Sequence, residues 1–110
     1  MRGRSAADLL SLPVRLNGIQ LGRPVEALVD ATSDRVVGFE VICGDESRRF
    51  LPFAVAEIRD DELALRSALM LIDERDLGFY RRRSRRLADL GYADPWVDAR
   101  GEIHEARSAA

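Results

Sequence analysis

Val14-Arg15-Leu16-Asn17-Gly18-Ile19-Gln20-Leu21-Gly22-Arg23-Pro24-Val25-Glu26-Ala27-Leu28-Val29-Asp30 is the stretch on which the fold turns. Asn17-Gly18 lies between two runs rich in β-favouring residues. That pair suits a two-residue hairpin turn, because both central positions need positive φ. The expected strands are therefore about Leu12–Leu16 and Ile19–Asp30. Gly22 and Pro24 interrupt the second, and a proline cannot donate to a central ladder, so an edge or a bulge is expected there. A bulge bends its strand sharply, which is how a small sheet turns a corner. Beyond Pro24, Val25, Ala27 and Val29 share one face, while Glu26 and Asp30 share the other with Leu28 pointing outward among them.

Working outward, Asp30-Ala31-Thr32-Ser33-Asp34 is composed of residues that bond their own backbone in turns. Arg35–Cys43 follows as a strand with Val37, Phe39, Val41 and Cys43 on one face and Val36, Gly38, Glu40 and Ile42 on the other. Both faces are largely apolar, as expected for a central strand whose outer side is partly covered. Gly44-Asp45-Glu46-Ser47 turns into Arg48–Leu51, and Pro52 ends that run. Short elements are expected at Ala54–Ile58 and at Glu62–Arg66, the latter with Leu63 and Leu65 inward. Residues 1–11 read as a flexible lead-in carrying at most a helical turn at Ala6–Leu10.

From Asp73 to Gly91 the pattern is helical. Leu77, Tyr80, Leu87 and Leu90 recur at helical intervals, Asp73, Glu74 and Asp76 precede the arginines as the helix dipole prefers, and Gly91 is a natural stop. The tail, 92–110, carries Trp96-Val97-Asp98-Ala99-Arg100-Gly101-Glu102-Ile103, which suits a small hairpin. Ala88-Asp89-Leu90 also echoes Ala7-Asp8-Leu9. Such an echo suits chance, a vestigial second copy, or a strand that completes a neighbour's sheet.

The order Gly-x-x-Leu-Gly-x-Pro-Val-x-x-Leu-Val-x-Asp, filled by Gly18 to Asp30, resembles the PRC-barrel family. Val36-Val37-Gly38-Phe39-Glu40-Val41 and Phe50-Leu51-Pro52 are similar as well. The likeness spans about Leu12 to Ile72, and departs where Thr32-Ser33-Asp34 stand in place of the usual turn glycine. It implies a small antiparallel β-barrel of five or six strands over 12–72, followed by one C-terminal α-helix over 73–91, a mainly β fold. Family relatives include the cytoplasmic domain of the photosynthetic reaction-centre H subunit and the C-terminal domain of the ribosome maturation factor. The resemblance implies a non-catalytic interaction module, so it supplies no catalytic residues.

At 110 residues the chain is one domain, and its net charge of −2 gives no global attraction to nucleic acid or anionic lipid. All 17 basic residues are arginine, which excludes lysine-based Schiff-base chemistry. Cys43 is the one cysteine, so no internal disulfide forms, and a lone mid-strand thiol reads as a small buried hydrophobe. No uncharged apolar run reaches the ~20 residues a membrane helix needs. Met1-Arg2-Gly3-Arg4 is basic, yet Asp8 breaks the apolar stretch behind it, so no signal peptide is read there. A cytoplasmic protein is expected.

His104 is the one histidine, and with one distant cysteine it does not supply the three or four ligands of a zinc site. Asp60-Asp61-Glu62 and Asp45-Glu46 read as solvated turns rather than cation loops. No Gly-x-Ser-x-Gly elbow and no phosphate-cradling glycine loop occurs. The expectation is no enzyme, no metal and no cofactor.

The binding potential lies in Arg81-Arg82-Arg83-Ser84-Arg85-Arg86, five positive charges in six residues. On one helix they wrap most of the circumference, so some should pair with the acidic remainder. Arg82, Arg83 and Arg86 would form a cationic face with Phe79 at its edge. Leu28, Val36 and Ile42 are the expected apolar partner surface on the sheet. The first functional reading is an adaptor that binds protein partners and self-associates. The alternative is an RNA- or ribosome-associated factor that holds phosphates through the arginine helix. A ligand inside a five- or six-stranded barrel is disfavoured, because side chains fill so small an interior.

Overall fold

The computed structural model describes residues 3–105, so residues 1–2 of the expected lead-in and 106–110 of the expected tail lie outside the described residues. The fold is mainly β. In chain order its elements are β1 (Arg4–Ser5), α1 (Ala6–Ser11), β2 (Val14–Leu16), β3 (Ile19–Asp30), β4 (Val36–Cys43), β5 (Arg48–Pro52), β6 (Glu57–Ile58) and β7 (Leu63–Leu65). Then come α2 (Glu74–Arg82), β8 (Ser84–Arg86), β9 (Trp96–Val97) and β10 (Ile103–His104), with short 3₁₀ turns at Phe53–Val55, Ala68–Met70 and Leu87–Asp89.

Asn17 and Gly18 take φ of 51° and 79°, as the hairpin requires, and β2 pairs antiparallel with β3. The main sheet runs β5-β4-β3-β2-β7-β6, with β2 and β7 parallel. Strand β3 is long enough to take two partners along one edge: β2 as far as Gly22, then β8 from Leu28. Pro24 sits in the step between them, and the register with β4 shifts between Pro24 and Glu26. The proline thus falls where its missing N–H costs least, at a bulge. The pairing traces an open path whose ends, β5 and β6, are not joined among the described strands. The expected closed barrel of five or six strands gives way to an open, curled seven-stranded sheet.

A second small sheet, β1-β9-β10, is built from both ends of the chain. Strand β9 pairs with β1 through Arg4↔Val97 and with β10 through Ile103↔Val97. The hairpin expected in the tail is present, and it completes a sheet within its own chain. It is tied to the main sheet where the Val36 amide donates to the Gly101 carbonyl at 2.8 Å.

The lead-in is structured where it is described. Ser5 caps α1 by accepting from the Asp8 amide at 3.0 Å, and Arg4 Nε donates to Asp8 at 2.7 Å. Ala6 and Leu9 reach the main core. That core lies on the inner face of the sheet, where Ala27, Val29, Phe39, Val41, Leu51, Leu63 and Leu65 gather with Leu87 and Val97.

The expected helix over 73–91 is half that length. Asp73 caps α2, its carboxyl accepting from the Arg75 amide at 3.0 Å, and that hydrogen bond holds the carboxyl below its ordinary range. The helix stops at Arg82. Leu77 belongs to a separate cluster on the outer face of the sheet with Leu28 and Phe50, whereas Leu87 belongs to the inner core. One helix cannot put both on opposite sides of a sheet. The chain therefore leaves the helix and spends Ser84–Arg86 on the open edge of β3, so tertiary pairing overrides local propensity. Gly91, at φ 76°, ends the 3₁₀ turn that follows rather than the long helix.

Candidate functional site

Two bulges in the β3–β4 pairing redistribute the expected surface. At the first, Val25, expected on one face with Ala27 and Val29, is the extra residue and lies exposed at the outer cleft. The β3–β4 register shifts between Leu28 and Val29, which pair with Gly38 and Val36, so Val37 is the extra residue. A bulge reverses the inside-outside alternation on either side of it. Val36 therefore turns into the main core and is buried, and Val37 joins the outer cluster. Leu28 does face outward, but α2 covers it, and it is buried against Phe50 and Leu77. Neither Leu28 nor Val36 is a free partner surface. Ile42 is half-buried, flanked across the strands by Arg23 and Arg48.

The arginine cluster is likewise divided. Arg81 and Arg82 end α2, Arg83 is its C-cap, and Arg85 and Arg86 lie on β8. Arg82 and Arg86 are thus not one helical turn apart. Arg83 does meet Phe79: its guanidinium lies 3.7 Å from the ring centroid, and its Nη1 donates to the Phe79 carbonyl at 3.3 Å. Phe79 is 46% exposed and contacts Tyr80 edge-on, while Tyr80 stacks on Phe50 with centroids 4.1 Å apart.

Between β8, α2 and the outer face lies a cleft of about 520 Å³, lined by Val25, Glu26, Leu28, Glu40, Arg81 and Arg86 among others. Glu26 and Glu40 are cross-strand partners, an arrangement that like charges make unfavourable. Three arginines offset it. Arg81 donates to Glu40 through two nitrogens, at 2.6 and 3.2 Å, Arg48 lies 3.8 Å from the same carboxylate, and Arg86 lies 3.9 Å from Glu26. The two-pronged Arg81 contact to the buried Glu40 is the strong kind. Its effect is to pin the end of α2 to β4. Arg86 spends its fork on Asp89, at 2.9 and 3.2 Å. The cleft is an internally compensated ion network, and Arg81 and Arg86 are already engaged within it.

The most exposed large apolar side chain, Leu69, lies elsewhere, at the end of the sheet beside the first hairpin. A groove of about 440 Å³ is lined there by Leu21, Cys43, Ala68, Leu69 and Leu71, with Asp45 and Arg49 at its edge. Leu69 stands 92% exposed on a 3₁₀ turn, and Ile19 is 68% exposed. The turn is held by Ser67, whose hydroxyl accepts from the Leu69 amide at 3.1 Å. Burial is the main influence on Cys43 and raises its thiol above the ordinary range, so at neutral pH it lines the groove as an uncharged group. No reading of the sequence isolates this patch; Leu69 merely follows two small residues in a run of unsettled structure. Among the described residues no helix is long and apolar enough to cross a membrane. No family model, no curated protein and no solved structure matches this chain.

Proposed function

We propose that this chain is a non-catalytic interaction module of PRC-barrel type, and that it pairs with a second copy of itself through the apolar end of the sheet. The observation that carries the reading is Leu69, a large apolar side chain standing almost wholly in solvent on the lip of an apolar groove. A two-fold interface needs a patch complementary to itself. A projecting leucine and an adjacent groove on one patch meet that need, since each copy's Leu69 enters the other's groove. Asp45 and Arg49 at the groove edge supply opposite charges for the rim. Sedimentation over a wide concentration range tests this. The expected result is a reversible dimer that Leu69→Asp converts to monomer. The substitution spares the fold, because the side chain touches little of its own chain. A wild-type chain that stays monomeric at high micromolar concentration would end the proposal.

The phosphate-binding reading keeps one supporting observation. Among the described residues Arg82, Arg83 and Arg85 form no ion pair with a carboxylate, unlike Arg81 and Arg86. That reading expects single-stranded RNA to bind with an affinity that falls steeply with salt, and to be lost on changing all three arginines to glutamine. Equal retention of RNA by the triple variant, measured by fluorescence anisotropy, would exclude it.

A further inference from the structure

We infer that the β9–β10 hairpin holds a divalent transition-metal site formed by Asp98, Glu102 and His104. One donor atom from each of the three lies within 4.8 Å of the others, although the sequence shows only one histidine and no second nitrogen or sulfur ligand near it. Carboxylates supply what is missing, and the hairpin brings them round. Asp98 and Glu102 close the turn by backbone bonding, the Asp98 amide donating to the Glu102 carbonyl at 3.0 Å. His104 lies two residues beyond Glu102, on the strand that pairs with β9.

Each donor is oriented by a partner outside the cluster, as metal ligands commonly are. Asp98 Oδ1 accepts from the amides of Arg100 and Glu102, at 2.9 and 3.0 Å, which leaves Oδ2 directed at His104. The His104 ring stacks on Trp96 with centroids 4.1 Å apart and planes 18° apart. Glu102 Oε1 lies 3.3 Å from Arg35 Nη2, an ion pair that holds the side chain in place. His104 Nε2 and Asp98 Oδ2 share a hydrogen bond at 3.0 Å, so an ion would enter by displacing the shared proton. With bonds of about 2.1 Å, neighbouring ligands stand roughly 3.0 Å apart around an octahedral ion and roughly 3.4 Å apart around tetrahedral zinc, so little movement is needed. One imidazole with two carboxylates suits ions of the zinc, nickel and manganese class. Three protein ligands leave coordination positions for water.

Nuclear magnetic resonance is the direct test, because His104 is the sole histidine and its ring signals are unambiguous in a chain without a histidine tag. Titration with Zn²⁺ should move those signals to saturation at one equivalent, and paramagnetic Co²⁺ should shift or broaden them selectively. Asp98→Asn retains the oxygen that the turn amides use, and Glu102→Gln changes a half-exposed side chain. Each should weaken Zn²⁺ binding roughly tenfold or more. Unmoved ring signals at several equivalents of Zn²⁺ would overturn the site. So would equal affinity in the folded Asp98→Asn or Glu102→Gln variant, since that is the behaviour of a lone surface imidazole.

Discussion

Leu9→Ala is expected to destabilise the protein by about 2–5 kcal/mol, the range for emptying a buried leucine position. Leu9 is 1% exposed and packs in the main core from α1, which lies against β3. With a denaturant slope of about 1–3 kcal/mol per molar urea for a small domain, the midpoint should fall by roughly 1 M or more. A change at the exposed Ala7 to serine should stay within about 0.5 kcal/mol. The comparison decides whether the first residues belong to the cooperative unit. A flexible lead-in requires Leu9→Ala to be as silent as the Ala7 control, and that outcome would refute the packing of α1. The capping signal was present in the sequence, since Ser5-x-x-Asp8 precedes an apolar pair. What could not be read there was a cavity on the inner face that needed Leu9 to fill it.

Gly38→Ala should also be severe. A Cβ at this position would press into the Leu51 carbonyl and the Phe50 ring, both inside van der Waals contact. Glycine here is a matter of space: Gly38 pairs with Pro52 on β5 and Leu28 on β3, and the diagonal Phe50 ring lies across it. That close seat lets Phe50 stack on Tyr80 and brings α2 down on the sheet. Ordinary overpacking costs about 1–3 kcal/mol, and a backbone carbonyl yields less readily than a side chain, so the upper end or beyond is expected. Adding Phe50→Leu to Gly38→Ala should recover part of the loss, because one of the two obstructions is then smaller. Denaturation of the four members of that cycle gives the coupling directly. Strict additivity would show that the ring and the glycine do not compete for one space.

The legible features of the sequence were those that neighbouring residues decide. Asn17-Gly18 demanded its turn, Gly22 and Pro24 demanded a break in pairing, and Leu63 and Leu65 faced inward as their alternation required. The partner surface was not legible in the same way. Leu28 and Val36 were read as exposed because strict alternation put them opposite the core. One extra residue at Val37 reversed Val36, and a helix some fifty positions away covered Leu28. The Phe79–Arg83 contact was readable, being four residues apart on a helix end. The grouping of Arg82 with Arg86 was not, because β8 replaced the second half of the helix.

By itself, then, the sequence determined the first hairpin, the long central strand, the arginine-only basic set and the absence of an internal disulfide. Turn conformations, proline geometry and side-chain alternation are steric matters settled within a few residues. Tertiary structure decided where α2 ends, which apolar side chains reach solvent, and which carboxylates surround His104. The first two depend on an unpaired strand edge and an uncovered sheet face, completed by groups from distant parts of the chain. The cluster at His104 depends instead on the register of one hairpin, Ile103 against Val97 and His104 against Trp96.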